Sequence, residues 1–246
     1  MAPAPAAPPA RAPLPRALYV VATPIGNLED ITLRALQVLR DADVIAAEDT
    51  RRTRILLAHY GVATPLTSYY EQNKHARGPE LVRRLQAGAR IALVTDAGTP
   101  GISDPGFHLV RLCHAAGIPV VPVPGPSALV ATLSVAGVPA DRFVFEGFLP
   151  QKPGRRRARL EVLRALGRPV VLYESPHRLA ATLAVVAEVF GSAEVVLARE
   201  VTKRFEEFRR GTAAELLAHV GAAGIRGEVT LVVNPGAPAA DLEPDA

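Results

Sequence analysis

Two neighbouring segments of the chain combine residue types that are typical of ligand-binding loops. The first, Thr95 to Gly106 (TDAGTPGISDPG), holds three glycines, two prolines and two carboxylates. This composition predicts an irregular backbone that a ligand can approach closely. The second, Pro124 to Ala128 (PGPSA), places a hydroxyl where a helix is expected to begin. The structural alternatives are helix caps at Asp104 and Ser127.

Acids and arginines follow other expected strands. The segment from Ala47 to Arg54 (AEDTRRTR) places basic residues in a first helical turn, where they oppose the helix dipole, so phosphate contact would explain them. Its alternative is a solvated face with Glu48 or Asp49 as the cap. The segments YESPHR (173–178) and REVTKR (199–204) are compatible equally with a buried ion-pair network between domains and with substrate contact.

A basic cluster is the clearest indication of a nucleic-acid partner. Arg155, Arg156, Arg157 and Arg159 occupy four of five positions after Gly154. Such a cluster predicts contact with nucleic-acid phosphates, the alternative being a solvated helix face. By contrast, TPIGNLED (23–30) lacks the G-x-G-x-x-G pattern that follows the first strand of dinucleotide-binding folds, and its Asp30 can cap a helix at Ile31.

Alternating short β-branched runs and helix-length amphipathic segments must position these residues. This pattern predicts an α/β protein, with ligands beyond the carboxyl ends of parallel strands. The predicted strands of a first, mainly parallel sheet are Leu18–Ala22, Val44–Ala47, Leu66–Tyr69, Ile91–Thr95 and Pro119–Val123. Its helices include Gly106–Ala116, Ser127–Ala136 and two segments around Ala35–Leu39 and Ile55–Tyr60.

A second series of strands predicts a mixed sheet. The strands are Arg142–Phe145, Pro169–Tyr173, Val195–Arg199, Phe205–Arg210 and Glu228–Val233, and the helices are Arg156–Ala165, His177–Phe190 and Ala213–Val220. The short link from Glu200 to Arg204 requires an antiparallel pair. We expect an N-terminal domain at 17–137 and a C-terminal domain at 138–236. Disordered Ala/Pro-rich tails are expected at 1–16 and 237–246.

The composition of the chain restricts the class of protein and the kinds of binding site that are possible. Of 246 residues, 49% are hydrophobic and 21% charged, which is typical of a folded protein, and the formal net charge is +4. A single cysteine excludes an intrachain disulfide and a cysteine-based zinc site and fits a reducing compartment. The histidine spacing predicts no metal site. No apolar stretch is long enough for a membrane helix, so a cytoplasmic protein is expected.

The segments TPIGNLEDI, AEDTRRTR, TDAGTPGISDPG, PGPSA and YESPHR together resemble the signature of ribosomal RNA small subunit methyltransferase I, a family of the tetrapyrrole methylase superfamily. The resemblance spans about Ala17 to Asn234. It implies two α/β domains with S-adenosylmethionine in the cleft between them, and a homodimer. It also implies 2′-O-methylation of a cytidine, number 1402 in the usual numbering, in the decoding region of 16S ribosomal RNA, free or within the 30S subunit. No membrane or DNA partner is expected.

The resemblance also implies roles for individual residues. The cofactor-binding residues implied are Asp96, Gly98, Thr99, Gly101, Ile102, Ser127 and Ala128. The candidates for a general base that takes the ribose proton are Glu48, Asp49 and Glu174, and the sequence does not rank them. Arg51, Arg178 and Arg199, together with Arg155, Arg156 and Arg157, are the expected substrate contacts.

Two other functions compete with this interpretation. The same superfamily methylates carbons of tetrapyrroles, but the arginine clusters and the TPIGNLED and YESPHR segments match the ribosomal branch. A non-catalytic RNA-binding module would explain the basic residues. It would leave the loops at Asp96 and Ser127 unexplained, and a chain with 5% aromatic residues and no tryptophan offers few stacking platforms.

Overall fold

The computed structural model describes residues 14–221 and 225–236 and divides them into two compact units. The first unit contains the chain up to Thr23 and then Ile31–Gly125. The second contains Pro24–Asp30 and the chain from Pro126 onward. The predicted tails at 1–16 and 237–246 lie outside the described residues except for Leu14, Pro15 and Arg16, and so they remain predictions.

The first unit is a parallel α/β layer structure, as predicted. Its elements are β1 (Leu18–Val21), α1 (Leu33–Asp41), β2 (Val44–Ala47), α2 (Thr50–His59), β3 (Leu66–Ser68), α3 (Lys74–Gln86), β4 (Ile91–Val94), α4 (Gly106–Ala115) and β5 (Val120–Val123). The strand order is β3-β2-β4-β1-β5, and every pair is parallel. All residues of β2 and β4 are buried, which explains their continuous apolar sequences.

Helix α3 is absent from the predicted helices. Gly78 and Pro79 lie inside it and interrupt the helical signal in the sequence. Its packing explains why it forms nevertheless: Gly78, Leu81 and Leu85 are buried on one face, at the three-and-four spacing of a helix. Tertiary burial therefore outweighs the low helix propensity of glycine and proline.

The second unit contains the predicted mixed sheet. Its elements are a 3-10 helix (Leu28–Asp30), α5 (Ala128–Ala136), β6 (Val144–Phe148), α6 (Pro153–Ala165), β7 (Val170–Glu174), α7 (Leu179–Phe190), β8 (Glu194–Arg199), β9 (Glu207–Thr212), α8 (Ala213–Val220) and β10 (Val229–Asn234). The order is β6-β7-β10-β8-β9. Only β6 and β7 pair in parallel, so the expected antiparallel part is confirmed.

The boundary expected after residue 137 is displaced by one helix, because α5 belongs to the second unit. Leu133 and Ala136 of α5 are buried against Val171, Val196 and Val232 of the second sheet. The apolar sequence of α5 indicates a helix but not the sheet that it covers, and this partner decides the boundary. Within the described residues, no helix is both long and apolar enough to span a membrane.

Packing of α5 on the second sheet predicts a difference between two substitutions on the same helix. Leu133→Ala removes a buried side chain and is expected to lower the free energy of unfolding by about 2 to 5 kcal/mol. Val130→Ala, at a position that is 62% exposed, should change it by no more than about 0.5 kcal/mol. Chemical denaturation followed by circular dichroism measures both, and equal small effects would contradict the assignment of α5.

Candidate functional site

The carboxyl ends of β2 and β4 bring two of the predicted loops together in the first unit. The strands are neighbours with Ala47 opposite Val94, so Glu48 and Asp96 leave the sheet at the same edge. The Thr95 hydroxyl donates to Oε2 of Glu48 at 2.5 Å. The backbone N–H of Asp49 donates to Oδ1 of Asp96 at 2.9 Å. The carboxylates of Glu48 and Asp96 are thus each held by a hydrogen bond from the segment that follows the other strand.

Arginines compensate this concentration of negative charge unequally. Burial, followed by the neighbouring Glu48 carboxylate, raises the pKa of Asp96 above its usual value. Arg52 lies 3.3 Å from Oδ2 of Asp96 and opposes this rise. Arg51 donates to both oxygens of Asp49, and these hydrogen bonds lower the pKa of Asp49 to about 2.

Asp49 also has the structural role considered as an alternative. Its Oδ1 accepts from the backbone N–H of Arg51 at 2.8 Å, which caps helix α2. The guanidinium of Arg51 is engaged with this cap, yet the side chain remains 85% exposed. Arg51 is therefore available on the surface for an anionic partner, while Asp49 is held by its own helix.

The loop between β4 and α4 is organised by Asp104. Both of its oxygens accept from the backbone N–H of Gly101 at 2.9 Å, and Oδ1 also accepts from Gly106 at 2.7 Å. A Cβ on Gly106 would lie 2.8 Å from Oδ1 of Asp104, so only glycine fits there. Ser103 adopts a φ of 67°, in the left-handed region, and Ile102 is 44% exposed at the loop tip. The loop is rigid and presents an apolar side chain.

Gly98 is anchored to the end of β1. Its N–H donates to the carbonyl of Thr23 at 3.0 Å, and its carbonyl accepts from the Thr23 N–H at 2.9 Å. The buried Thr23 hydroxyl donates to the carbonyl of Thr95 at 3.1 Å. Thr99, next in the chain, is half-buried. Sequence reasoning missed Thr23, although a threonine directly after the first strand was a possible signal.

In the second unit, Ser127 precedes α5 but does not cap it through its side chain. Its side chain is hydrogen-bonded to Tyr173 at the end of β7, and burial raises the pKa of that tyrosine. Ala128 is half-buried and packs against Ile25 and Val201. The first residues of α5 are thereby fixed on the second sheet. Ser127 therefore occupies the N-cap position of α5, as in the structural alternative, but its hydroxyl does not make the capping hydrogen bond.

Glu174 lies in the interior, which disfavours it as a general base. Its side chain is fully buried, with Oε2 accepting from the Thr182 hydroxyl at 2.6 Å and Oε1 from the Ser175 N–H at 2.8 Å. Arg178 lies 3.3 Å from Oε1 and donates to the carbonyl of Leu149 at 2.6 Å. These two residues thus form a largely buried ion pair, as in the alternative for YESPHR, but both partners lie in the second unit.

Arg199 is engaged within its own sheet as well. Its Nε lies 2.9 Å from Glu207 on the neighbouring strand, and Nη1 donates to the carbonyl of Arg226 at 3.3 Å. The side chain is largely covered. Arg199 therefore holds the β8–β9 pair through an ion pair whose partners both lie in the second unit.

The predicted four-arginine RNA cluster does not form one cationic surface. Arg156 is buried, and its guanidinium donates to the carbonyls of Pro150 and Gln151 at 3.3 and 3.1 Å. Arg157 pairs with Glu188 and Glu161, and Arg159 forms a bidentate pair with Glu146. Arg155 is exposed. Helical periodicity turns these residues to different faces, which the run of letters conceals.

The loop 24–30 packs within the second unit. The Asn27 N–H donates to the Thr202 hydroxyl at 3.2 Å, and a Cβ on Gly26 would lie 2.2 Å from the side chain of Lys203. Asp30 is not the helix cap, because Thr32 caps α1 by accepting from the Ala35 N–H at 3.0 Å. Thr202 was missed as a contact of this loop. Its approach to Asn27 joins residues far apart in the chain.

Comparison with known proteins places this arrangement among methyltransferases. The profile of the tetrapyrrole (corrin/porphyrin) methylases matches residues 17–217. The chain is 54% identical over 200 residues to the ribosomal RNA small subunit methyltransferase I of Pseudomonas aeruginosa, covering 81% of this chain and 71% of that protein. It is 48% identical over 217 residues to the protein of the same name from Thermotoga maritima, covering 88% and 97%.

A solved structure supports the fold. The uroporphyrin-III C-methyltransferase of Thermus thermophilus, in complex with S-adenosylhomocysteine, superimposes with a TM-score of 0.62. The match covers 89% of this chain and 98% of that one at 18% identity. At this identity the likeness concerns the architecture alone.

The different positions of Arg155 and Arg156 predict different costs of truncation. Arg156→Ala leaves two carbonyls without a charged donor and should lower the free energy of unfolding by about 1.5 to 3 kcal/mol. Arg155→Ala is an exposed control that should change it by no more than about 0.5 kcal/mol. Denaturant titration of both variants measures the difference. If Arg156→Ala were as mild as the control, the buried position of its guanidinium would be refuted.

Proposed function

The chain belongs to the tetrapyrrole methylase family and, within it, to the ribosomal RNA small subunit methyltransferase I group, and we propose that it methylates the ribose 2′-hydroxyl of a cytidine in the decoding region of 16S ribosomal RNA. Membership of this group identifies the chain as an S-adenosylmethionine-dependent methyltransferase of small-subunit ribosomal RNA. The observation that carries it is about 50% identity over most of the chain to relatives of that name. The specific site, the 2′-oxygen of cytidine 1402, is proposed because the signature segments of this sequence resemble those of the family.

The loop after β4 is suited to an adenosyl group. Ile102 supplies an exposed apolar side chain against which a nucleoside base can pack. At Gly101, with a φ of +91°, a Cβ would meet only the Phe107 nitrogen, at 3.7 Å, so the backbone can be approached closely. Asp96 offers a carboxylate for hydroxyl groups. An apolar surface with a few fixed polar groups is what such ligands require.

We therefore assign the cofactor to residues that these loops hold in place. In the first unit they are Asp96, Gly98, Thr99, Gly101 and Ile102, and from the second unit the family resemblance adds Ser127 and Ala128. When bound, S-adenosylmethionine supplies a methyl group made electrophilic by its sulfonium. The protein's task is then to orient the ribose hydroxyl and to accept its proton.

Glu48 is the best candidate for that proton acceptor. Asp49 is held by Arg51 with a pKa of about 2, so it is a weak base at neutral pH. Glu174 is enclosed by the turn after β7. Glu48 is half-buried, and the Thr95 hydroxyl orients one of its oxygens, Oε2. Its position beside Asp96 fits a base that works next to the cofactor loop.

Two of the six substrate contacts proposed from the sequence are retained. Arg51 and Arg155 remain candidates for RNA phosphates, because their guanidinium groups are at the surface. Arg156, Arg178 and Arg199 serve the protein's own backbone and ion pairs, and Arg157 is paired with glutamates. We also propose a homodimer, as the family resemblance implies, and a cytoplasmic location.

Transfer of labelled methyl from S-adenosylmethionine tests the proposed function. Purified protein is offered 30S subunits, naked 16S RNA and a tetrapyrrole, and the modified position is mapped in any RNA product. Label on the cytidine ribose is expected with one of the RNA substrates. Label on the tetrapyrrole alone would favour the carbon-methylating branch, and RNA binding without transfer would favour a non-catalytic module.

Asp96→Asn tests the cofactor assignment. The amide keeps an acceptor for the Asp49 N–H but loses the charge, so affinity for S-adenosylmethionine should fall by about 10- to 150-fold, or about 1.5 to 3 kcal/mol. Asp43→Asn is the matched control, because Asp43 precedes β2 at the opposite edge of the sheet and pairs with Arg90. Calorimetry compares the two, and unchanged affinity in folded Asp96→Asn would remove Asp96 from the site.

Glu48→Gln tests the base. Glutamine can still accept from Thr95 but cannot take a proton, so kcat should fall by about 10² to 10⁴ while RNA affinity is retained. Asp49→Asn should keep kcat close to that of the wild type, because a carboxylate with a pKa of about 2 contributes little basicity. Single-turnover methyl transfer distinguishes them. Full turnover in Glu48→Gln would mean that positioning alone drives the reaction or that another residue is the base.

A further inference from the structure

The turn between β8 and β9 places an aromatic ring in solvent. Phe205 is 65% exposed, and the Arg204 guanidinium carbon lies 5.6 Å from its ring centroid. An aromatic ring exposed to this extent buries little apolar surface within the fold. Stacked aromatic and guanidinium groups are the combination on which unpaired RNA bases are bound.

The turn that carries this ring is held rigidly. Glu200 and Thr202 have φ values of 51° and 68°, in the left-handed region that non-glycine residues seldom adopt. The Thr202 N–H donates to Glu206 at 2.6 Å. Lys203 bridges Glu200 at 2.8 Å and Glu228 at 3.1 Å. All of these bonds are made by residues other than Arg204 and Phe205, so the turn is preorganised while its tip stays free.

The charge of Arg204 distinguishes it from the other cations around the turn. Arg199, Lys203, Arg209 and Arg210 each pair with a glutamate. Among the salt bridges formed within 14–221 and 225–236, none includes Arg204. An exposed, uncompensated guanidinium beside an aromatic ring suits one phosphate and one base of the same nucleic-acid strand.

The strand register places the turn beside the YESPHR segment. Arg199 at the end of β8 is opposite Val229 of β10, and Val229 is opposite Glu174 at the end of β7. The turn also receives the loop 24–30 through Asn27 and Thr202. The signature segments of the second unit thus meet at one edge of its sheet, and Arg204 and Phe205 project from that edge.

We propose that Arg204 and Phe205 form an RNA-contact element, in which the Phe205 ring stacks on an unpaired base of the substrate and Arg204 contacts a neighbouring phosphate. This inference rests on the proposed function. It assigns substrate recognition to a preorganised turn rather than to the arginine cluster of α6, whose charges are largely compensated.

Steady-state methyl transfer to 30S subunits tests the stacking role. Phe205→Ala should raise KM for the subunit by about 5- to 150-fold, as loss of one stacked base does, with kcat unchanged. Phe205→Trp restores an aromatic face and should return KM close to the wild-type value. Phe143→Ala is the control, since Phe143 is also exposed but precedes β6 at the opposite edge of the same sheet.

Fluorescence gives a direct signature, because the chain contains no tryptophan. Phe205→Trp carries the sole tryptophan, and its emission should be quenched when an RNA fragment of the decoding region binds. Phe143→Trp should not respond to the same RNA. Arg204→Ala should reduce the slope of log affinity against log salt by about 0.7, the value for one phosphate contact on a single strand, whereas Phe205→Ala should leave the slope unchanged.

Four results would overturn the inference. An unchanged KM in Phe205→Ala would exclude a base contact. So would an emission of Phe205→Trp that does not change when the protein binds RNA. A changed sedimentation coefficient in Phe205→Ala would make the ring a contact between subunits instead. Absence of methyl transfer to any RNA by the wild-type protein would refute the proposed function, and this inference with it. The other outcomes would refute the inference alone.

Discussion

The convergence of carboxylates at the ends of β2 and β4 is the constraint on which the first unit's site depends. Parallel strands in adjacent positions must end at the same edge, so Glu48, Asp49 and Asp96 are brought together by the hydrogen-bonding register alone. Burial of Asp96, and then repulsion by the nearby Glu48 carboxylate, raise the pKa of Asp96. This negative charge is stabilised by hydrogen bonds from the Thr95 hydroxyl and the Asp49 N–H and by ion pairs with Arg51 and Arg52 of α2.

Because of these partners, the neighbouring carboxylates differ in their acidity and in the groups that they bind. Asp49 is bound by Arg51 and remains ionised at all ordinary pH values, while Asp96 is less acidic than a free aspartate. The Asp104 carboxylate is engaged by the amides of Gly101 and Gly106, so it shapes the loop rather than facing a ligand. Three aspartates of the first unit thus acquire different partners, although they are the same residue type.

Arginine has a comparable division of labour in the second unit. Most of the guanidinium groups that sequence analysis associates with RNA donate to backbone carbonyls or pair with glutamates, as Arg156, Arg159 and Arg178 do. Their planar forks satisfy several acceptors of an irregular turn at once. What remains for a polyanionic partner is a small set of uncompensated arginines, with Arg204 beside an exposed ring as the most distinctive.

Sequence alone determined the α/β class, the approximate positions of the strands, the mixed second sheet and the loops that carry the signature residues, because hydrophobic periodicity and turn residues are local properties. The strand bounds shift by up to three residues, as at β6, which is predicted at Arg142–Phe145 and observed at Val144–Phe148. It also identified Asp49 as a cap among its alternatives. Only the tertiary structure decided that α5 covers the second sheet, that Gly78 and Pro79 lie within a helix, and that Glu174 and Arg156 are buried. These outcomes depend on contacts between residues that are distant in the chain, such as the hydrogen bond between Thr202 and Asn27. Burial and the charge of a side chain's partner therefore cannot be inferred from its neighbours in the sequence.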